Sequence, residues 1–175
     1  MQKFIILFRG VNVGGKNLLP MKELVSLLKQ SKYESVSSYI QSGNIVLKSS
    51  KNPKEQVQSI VFNNFGFSPV VFTLDEQAFS TSVLNNPYKE FEGKFVHFYF
   101  CKNDINLVHD KLNKYLASSE EYTVKGSVFY LHAPEGIGRS KLVANIESCL
   151  GQSATGRNLN TINKISSMLK MSIRI

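Results

Sequence analysis

Between two stretches of helical character the chain carries "VSSYI" (36–40), the residues Gln41, Ser42 and Gly43, and then "NIVLK" (44–48). Strand, tight turn, strand is the pattern of an antiparallel pair. Its place between helices constrains the fold more than any other feature. Ahead of it lie the apolar strand "KFIILF" (3–8) and a helix with Pro20 in its first turn, presenting Met21, Leu24, Leu27 and Leu28 on one face. Behind it, "NPKEQVQSIVFNNF" (52–65) offers Asn52 as N-cap, Pro53 at the first helical position, and an apolar side of Val57, Ile60, Val61 and Phe65. "PVVFT" (69–73) supplies a fourth strand, its leading Pro69 suited to a strand start or edge. The first half therefore reads β-α-β-β-α-β.

A short helix from Leu74 to about Leu84, capped by Thr73, follows. The polar stretch "NNPYKEFEGK" (85–94) then reads as a connection. The second half repeats the order loosely. "KFVHFYF" (94–100) is a strand, Asp104 to about Leu116 a helix, "YTVKG" and "SVFYLH" a hairpin, and Gly138 to about Leu150 a helix. Residues 159–170, "LNTINKISSMLK", look helical where the first half has a strand. Three segments are expected: an N-terminal module over 1–85, a linker over 86–93, and a C-terminal α+β module over 94–175 that ends in two helices. Hairpins set between helices imply α+β packing, with antiparallel or mixed sheets and helices on one face of each. Units this small bury modest cores, so a shared interface is expected, and clefts between domains favour ligands.

Hydrophobic residues make up 42% of the 175 and charged residues 19%, which excludes a disordered chain. No apolar run approaches eighteen residues, so no membrane span is expected. "MQKFIILFRG" has too short an apolar run, and no small-residue cleavage site, for an export signal. Two cysteines, Cys101 and Cys149, do not make a disulfide scaffold, and cytoplasmic residence with reduced thiols is the expectation. The net charge is +8, but unevenly spread. Residues 1–60 carry nine Lys or Arg against three acids, residues 61–92 one against four, and residues 93–175 eleven against six. Such flanking basic regions attract nucleic acid or a phosphorylated small molecule, or they form a lysine-rich solvated surface.

"RGVNVGGKN" (9–17) nearly spells a nucleotide-binding loop, with Gly10, four residues, Gly15 and Lys16. Asn17 lacks the hydroxyl that binds Mg²⁺, and Leu18, Leu19 and Pro20 delay the helix whose N-terminus would meet the phosphate. Gly14 and Gly15 are explained by a tight βα loop. Arg9 is explained less well. Three of the four arginines stand beside glycine, in Arg9-Gly10, Gly138-Arg139 and Gly156-Arg157, within a chain whose other cations are 17 lysines. A guanidinium fork suits bidentate phosphate or carboxylate contact, and it also serves as a structural clamp. "EGIGRSKL" brings Arg139, Ser140 and Lys141 to a helix start, a credible anion site. "ATGRNLNT" sets Thr155, Gly156, Arg157 and Asn158 before the last helix, where Asn158 also suits an N-cap. "QSGN" (41–44) reads as a hairpin tip.

No catalytic residue can be nominated. His97, His109 and His132 are isolated, neither cysteine has a base beside it, and no metal-ligand spacing occurs. No cofactor is called for. "KFVHFYFCKN" alternates aromatic and basic residues, but at least one face of that strand belongs to a core.

"LFRGVNVGGKN" with "MKEL" after it, "YIQSGNIVL", "NPY", "GRSKL" and "ATGRNLNT" together resemble a bacterial family, Domain of Unknown Function 1697, over nearly the whole chain. The resemblance implies two consecutive ferredoxin-like α/β modules and brings no reaction with it. The motif positions it marks are Arg9, Asn12, Gly14, Gly15, Met21, Ser42, Gly43, Asn44, Arg139, Ser140, Lys141, Thr155, Arg157 and Asn158. Leu159 stands where relatives often carry Trp.

The expected function is therefore binding of a phosphate-bearing ligand, a nucleotide or similar, in a basic cleft between modules. Arg9, Asn12, Gly14, Gly15, Ser42 and Asn44 would contribute from the first module, and Arg139, Ser140, Lys141, Arg157 and Asn158 from the second. Two alternatives are non-specific nucleic-acid binding through phosphates and a structural or interaction protein with no small-molecule site, in which the arginines only glue the modules together. A small-ligand site should depend on Arg9, Arg139 or Arg157 and little on Lys54 or Lys114.

Overall fold

The computed structural model describes residues 1–171, and these divide into two compact units, residues 1–81 with 164–171 and residues 82–163. The first is built from β1 (Gln2–Arg9), α1 (Met21–Gln30), β2 (Glu34–Tyr39), β3 (Asn44–Ser49), α2 (Lys54–Phe65) and β4 (Val70–Asp75), followed by α3 (Glu76–Leu84). Its sheet has the order β2-β3-β1-β4, with every pair antiparallel. That is the ferredoxin-like arrangement expected from the strand and helix order.

β1 is central, so it must be apolar on both faces, and Phe4 to Phe8 are all buried. Phe4, Ile6 and Phe8 join Leu24, Leu28, Val57 and Val61 in one core. Asn52 Oδ1 accepts from the Lys54 amide at 3.0 Å and so serves the start of α2. The cap of α3 is Asp75, whose Oδ1 accepts from the Ala78 amide at 2.7 Å. Thr73, expected there, points its hydroxyl to Asn52 Oδ1 instead. A hydroxyl facing the sheet edge cannot also reach the first turn of the helix.

The second unit repeats the plan with β5 (Val96–Cys101), α4 (His109–Tyr115), β6 (Glu121–Lys125), β7 (Val128–His132), α5 (Lys141–Ala144), α6 (Ile146–Leu150) and β8 (Ala154–Asn158). The sheet order is β6-β7-β5-β8, again antiparallel throughout. Tyr99, Cys101, Phe129 and Leu131 face Leu112, Leu142, Cys149 and Leu150. The other face is buried as well, with Phe98 set edge-on to Tyr130 at 4.7 Å and the Tyr130 hydroxyl donating to Ser82 O at 2.6 Å. The β5 aromatics thus form no open platform for stacking bases.

Three elements differ from the sequence reading. The helix expected from Asp104 begins only at His109. The helix expected over 138–150 breaks at Asn145 into α5 and α6, with Asn145 Nδ2 donating to Lys141 O at 2.8 Å. Residues 154–158, read as a loop, are the fourth strand of the sheet. α7 (Leu159–Met171) follows directly, with Asn158 Oδ1 accepting from the Thr161 amide at 2.9 Å.

Candidate functional site

The glycine-rich loop of the first unit is a miniature hairpin. Val13 pairs with Lys16, the Lys16 amide donates to Val13 O at 3.1 Å, and the Asn12 amide donates to Asn17 O at 3.1 Å. Gly14 and Gly15, both at positive φ, form the two central positions, the mark of a type I′ turn. In a phosphate cradle those amides would converge on an anion. Here two of them are spent across the turn, and α1 begins only after Pro20.

Asn12 is a joint. Its amide nitrogen donates to Leu19 O at 3.0 Å and Gln41 O at 2.8 Å, and its oxygen accepts from the Leu19 amide at 2.7 Å. One side chain thereby ties the loop to the β2–β3 hairpin tip. At that tip buried Asn44 donates to Tyr39 O at 2.9 Å and to Ser42 Oγ at 3.2 Å. Gly43 has φ +89°, and a Cβ there would lie 2.9 Å from Phe8 Cβ, so glycine is required. Arg9 ends β1, half-buried and opposite Val70. Gly14 and Gly15 are exposed.

In the second unit two loops enclose a cavity of about 370 Å³. One runs from the end of α4 through Glu120, and the other from Glu135 to the start of α5. Two serine–glutamate hydrogen bonds bridge them. Ser140 Oγ donates to Glu120 Oε2 at 2.6 Å, and Ser119 Oγ donates to Glu135 Oε2 at 3.3 Å. Buried Glu120 also accepts from the Ala117 amide through Oε1 at 2.8 Å, which holds its own turn closed. Ser140 Oγ in turn accepts from the Val143 amide at 3.2 Å as the cap of α5.

Lys114, Arg139 and Lys141 line this cavity with the carboxylates of Glu120 and Glu135. Among the described residues no ion pair within 4.0 Å joins any of these cations to either carboxylate. Tyr115, Leu116 and Ala117 give the wall its apolar part, and Lys114 Nζ lies 5.4 Å from the Tyr115 ring centre. The arrangement can attract an anion. The Ser140 hydroxyl is engaged on both sides, by the Glu120 carboxylate and the Val143 amide.

Of the expected residues, Arg139, Ser140 and Lys141 thus come together. Arg157 is not part of the cavity lining. It sits in β8 at 7% exposure, with Nη1 donating to Thr155 Oγ1 at 2.7 Å and Gly156 O at 2.8 Å. Burial pulls its pKa down to about 10, so the guanidinium is still charged at neutral pH. Ser119, Glu120 and Glu135 were missed by the sequence reading, and Lys114, set there among the lysines a small-ligand site should hardly need, lines the cavity instead. No local signal marks them, because the bridging hydrogen bonds span 16 and 20 residues. Burial pushes the Cys101 thiol up to about 11, with Glu147 adding to it, and raises that of Cys149. Neither is a thiolate near neutrality. The described residues hold no cluster of three potential metal ligands, and no helix among them is long and apolar enough to cross a membrane.

A sequence model of a family described as "Protein of unknown function (DUF1697)" matches residues 1–130. A solved structure, the conserved bacterial protein SP0830 from Streptococcus pneumoniae, is similar with a TM-score of 0.71 at 25% identity, over 96% of this chain and 98% of that one. A search of curated proteins finds none that matches.

Proposed function

The chain belongs to the DUF1697 family of proteins of unknown function, and we propose that it binds a phosphate-bearing small molecule, a nucleotide or similar, in the cavity of its second unit. The family match ends at residue 130, before the loop that carries Arg139, so the reading rests on this chain's own geometry. One observation carries it: three cations line one cavity and none is paired with the carboxylates beside them. Glu120 satisfies its oxygens with Ala117 and Ser140, which leaves Arg139, Lys114 and Lys141 to meet a ligand. Arg139 supplies the planar fork, and the two lysines add point charges. The Ser140–Glu120 bond holds the two loops at a fixed separation. The site is one of binding, and a reaction there would draw on charge stabilisation alone. A cytoplasmic setting accords with two cysteines that are both unpaired.

Calorimetric titration with AMP tests this. Wild type should bind, and Arg139→Ala should weaken binding about tenfold or more, as expected for loss of a charge-assisted contact. Lys54→Ala, in the first unit, should change nothing. Affinity unaltered by Arg139→Ala would sink the proposal. Affinity restricted to oligonucleotides, steep in salt and spread evenly over many lysines, would favour nucleic-acid binding instead.

A further inference from the structure

The same cavity holds an anionic group that a plain phosphate site would not contain. Glu135 lines it from the loop that carries Arg139. Its Oε2 accepts from Ser119 Oγ at 3.3 Å, and Oε1 has no partner among the described residues. A carboxylate facing the same space as a bare anion repels it. It becomes an asset only when the ligand brings hydrogen-bond donors, because an ionised carboxylate accepts and cannot donate. We infer that the ligand is a phosphomonoester of a polyol, with vicinal hydroxyls donating to Glu135 while its phosphate meets Arg139 and Lys141. This rests on the phosphate reading of the cavity and adds the part of the ligand beyond the phosphate.

Three further observations agree. The Ser119 hydroxyl donates to one oxygen of Glu135, which leaves the other oxygen for a ligand's donors. The half-buried Tyr115 ring, with Leu116 and Ala117, offers an apolar wall of the kind that packs on a sugar's C–H face. The cavity, at about 370 Å³, lies in the size range of small-ligand sites, roughly 300–1,000 Å³. Cations for the phosphate and a donor-reading carboxylate in one cavity together select against inorganic phosphate.

Three probes separate the possibilities: ethyl phosphate, which has no hydroxyl, ribose 5-phosphate, and AMP. Wild type is expected to bind at least one of the two hydroxylated probes about tenfold more tightly than ethyl phosphate, the size of one good hydrogen bond to a charged acceptor. Tighter binding of AMP than of ribose 5-phosphate identifies a nucleotide, and equal binding identifies the sugar phosphate as sufficient. Glu135→Ala, at an exposed position where the fold should persist by melting temperature, is expected to abolish the preference. It should leave ethyl phosphate bound as well or better. Equal affinities in wild type, or a preference that survives Glu135→Ala, would overturn the inference while the phosphate reading stands. Failure of all three probes to bind, or binding indifferent to Arg139→Ala, would overturn both.

Discussion

His97 shows how a single buried side chain couples this fold to pH. It is 6% exposed on β5, and its Nε2 has no hydrogen-bond partner. Burial lowers its pKa below the ordinary imidazole value, and the Lys94 carbonyl offsets this only in part. The folded state therefore prefers the neutral ring. Its contribution to stability is complete above the unfolded pKa of about 6.5 and is lost as pH falls from there through the folded pKa. Melting temperature should fall as pH drops below about 6.5, and His97→Gln should flatten the profile there. Identical slopes for the two proteins would refute the assignment. Sequence alone put His97 in a strand but could not tell which of its nitrogens would be left without a partner, since that depends on tertiary packing around the ring.

β8 is the element that was least legible. "ATGRN" lacks both apolar alternation and β-branched density, and its glycine and arginine read as loop residues. The strand exists because β5 presents an open edge and pairs with it from Cys101–Ala154 to His97–Asn158. Tertiary pairing here overrides local propensity. Gly156 permits that approach, since a Cβ would lie 2.6 Å from Tyr99 Cε1. By contrast, the β2–β3 hairpin was legible because its two apolar runs and Gly43 carry the whole instruction locally. Arg157 gives β8 a testable role. Its guanidinium is held by Thr155 and Gly156 within the strand. Arg157→Ala should cost about 3 kcal/mol of stability, from lost packing and lost hydrogen bonds to a charged group. Urea unfolding measures that loss, while AMP binding to the cavity should be unchanged. A variant that keeps full stability but loses AMP would return Arg157 to the ligand and remove it from the strand.

Apart from β8, the order of elements is legible in sequence, because helix and strand periodicities are local and each half repeats them. What is not legible is which residues each unit recruits from a distance. Residues 164–171 belong to the first unit although they follow the second in sequence. The buried amine of Lys3 donates to Leu169 O at 2.8 Å, and Glu76 lies 3.9 Å from it. Lys164 Nζ sits 5.8 Å from the Tyr39 ring centre, and Ile165, Met168 and Leu169 are buried. Ending the chain at Asn163 would expose what these side chains cover and leave the Lys3 amine without its carbonyl acceptor. A loss of about 5 kcal/mol follows from three buried apolar side chains alone. Hydrogen exchange localises the effect, since protection of the Phe4–Phe8 amides should fall in the shortened chain. If Phe4–Phe8 protection is the same in the shortened and full chains, the C-terminal helix does not complete the first unit.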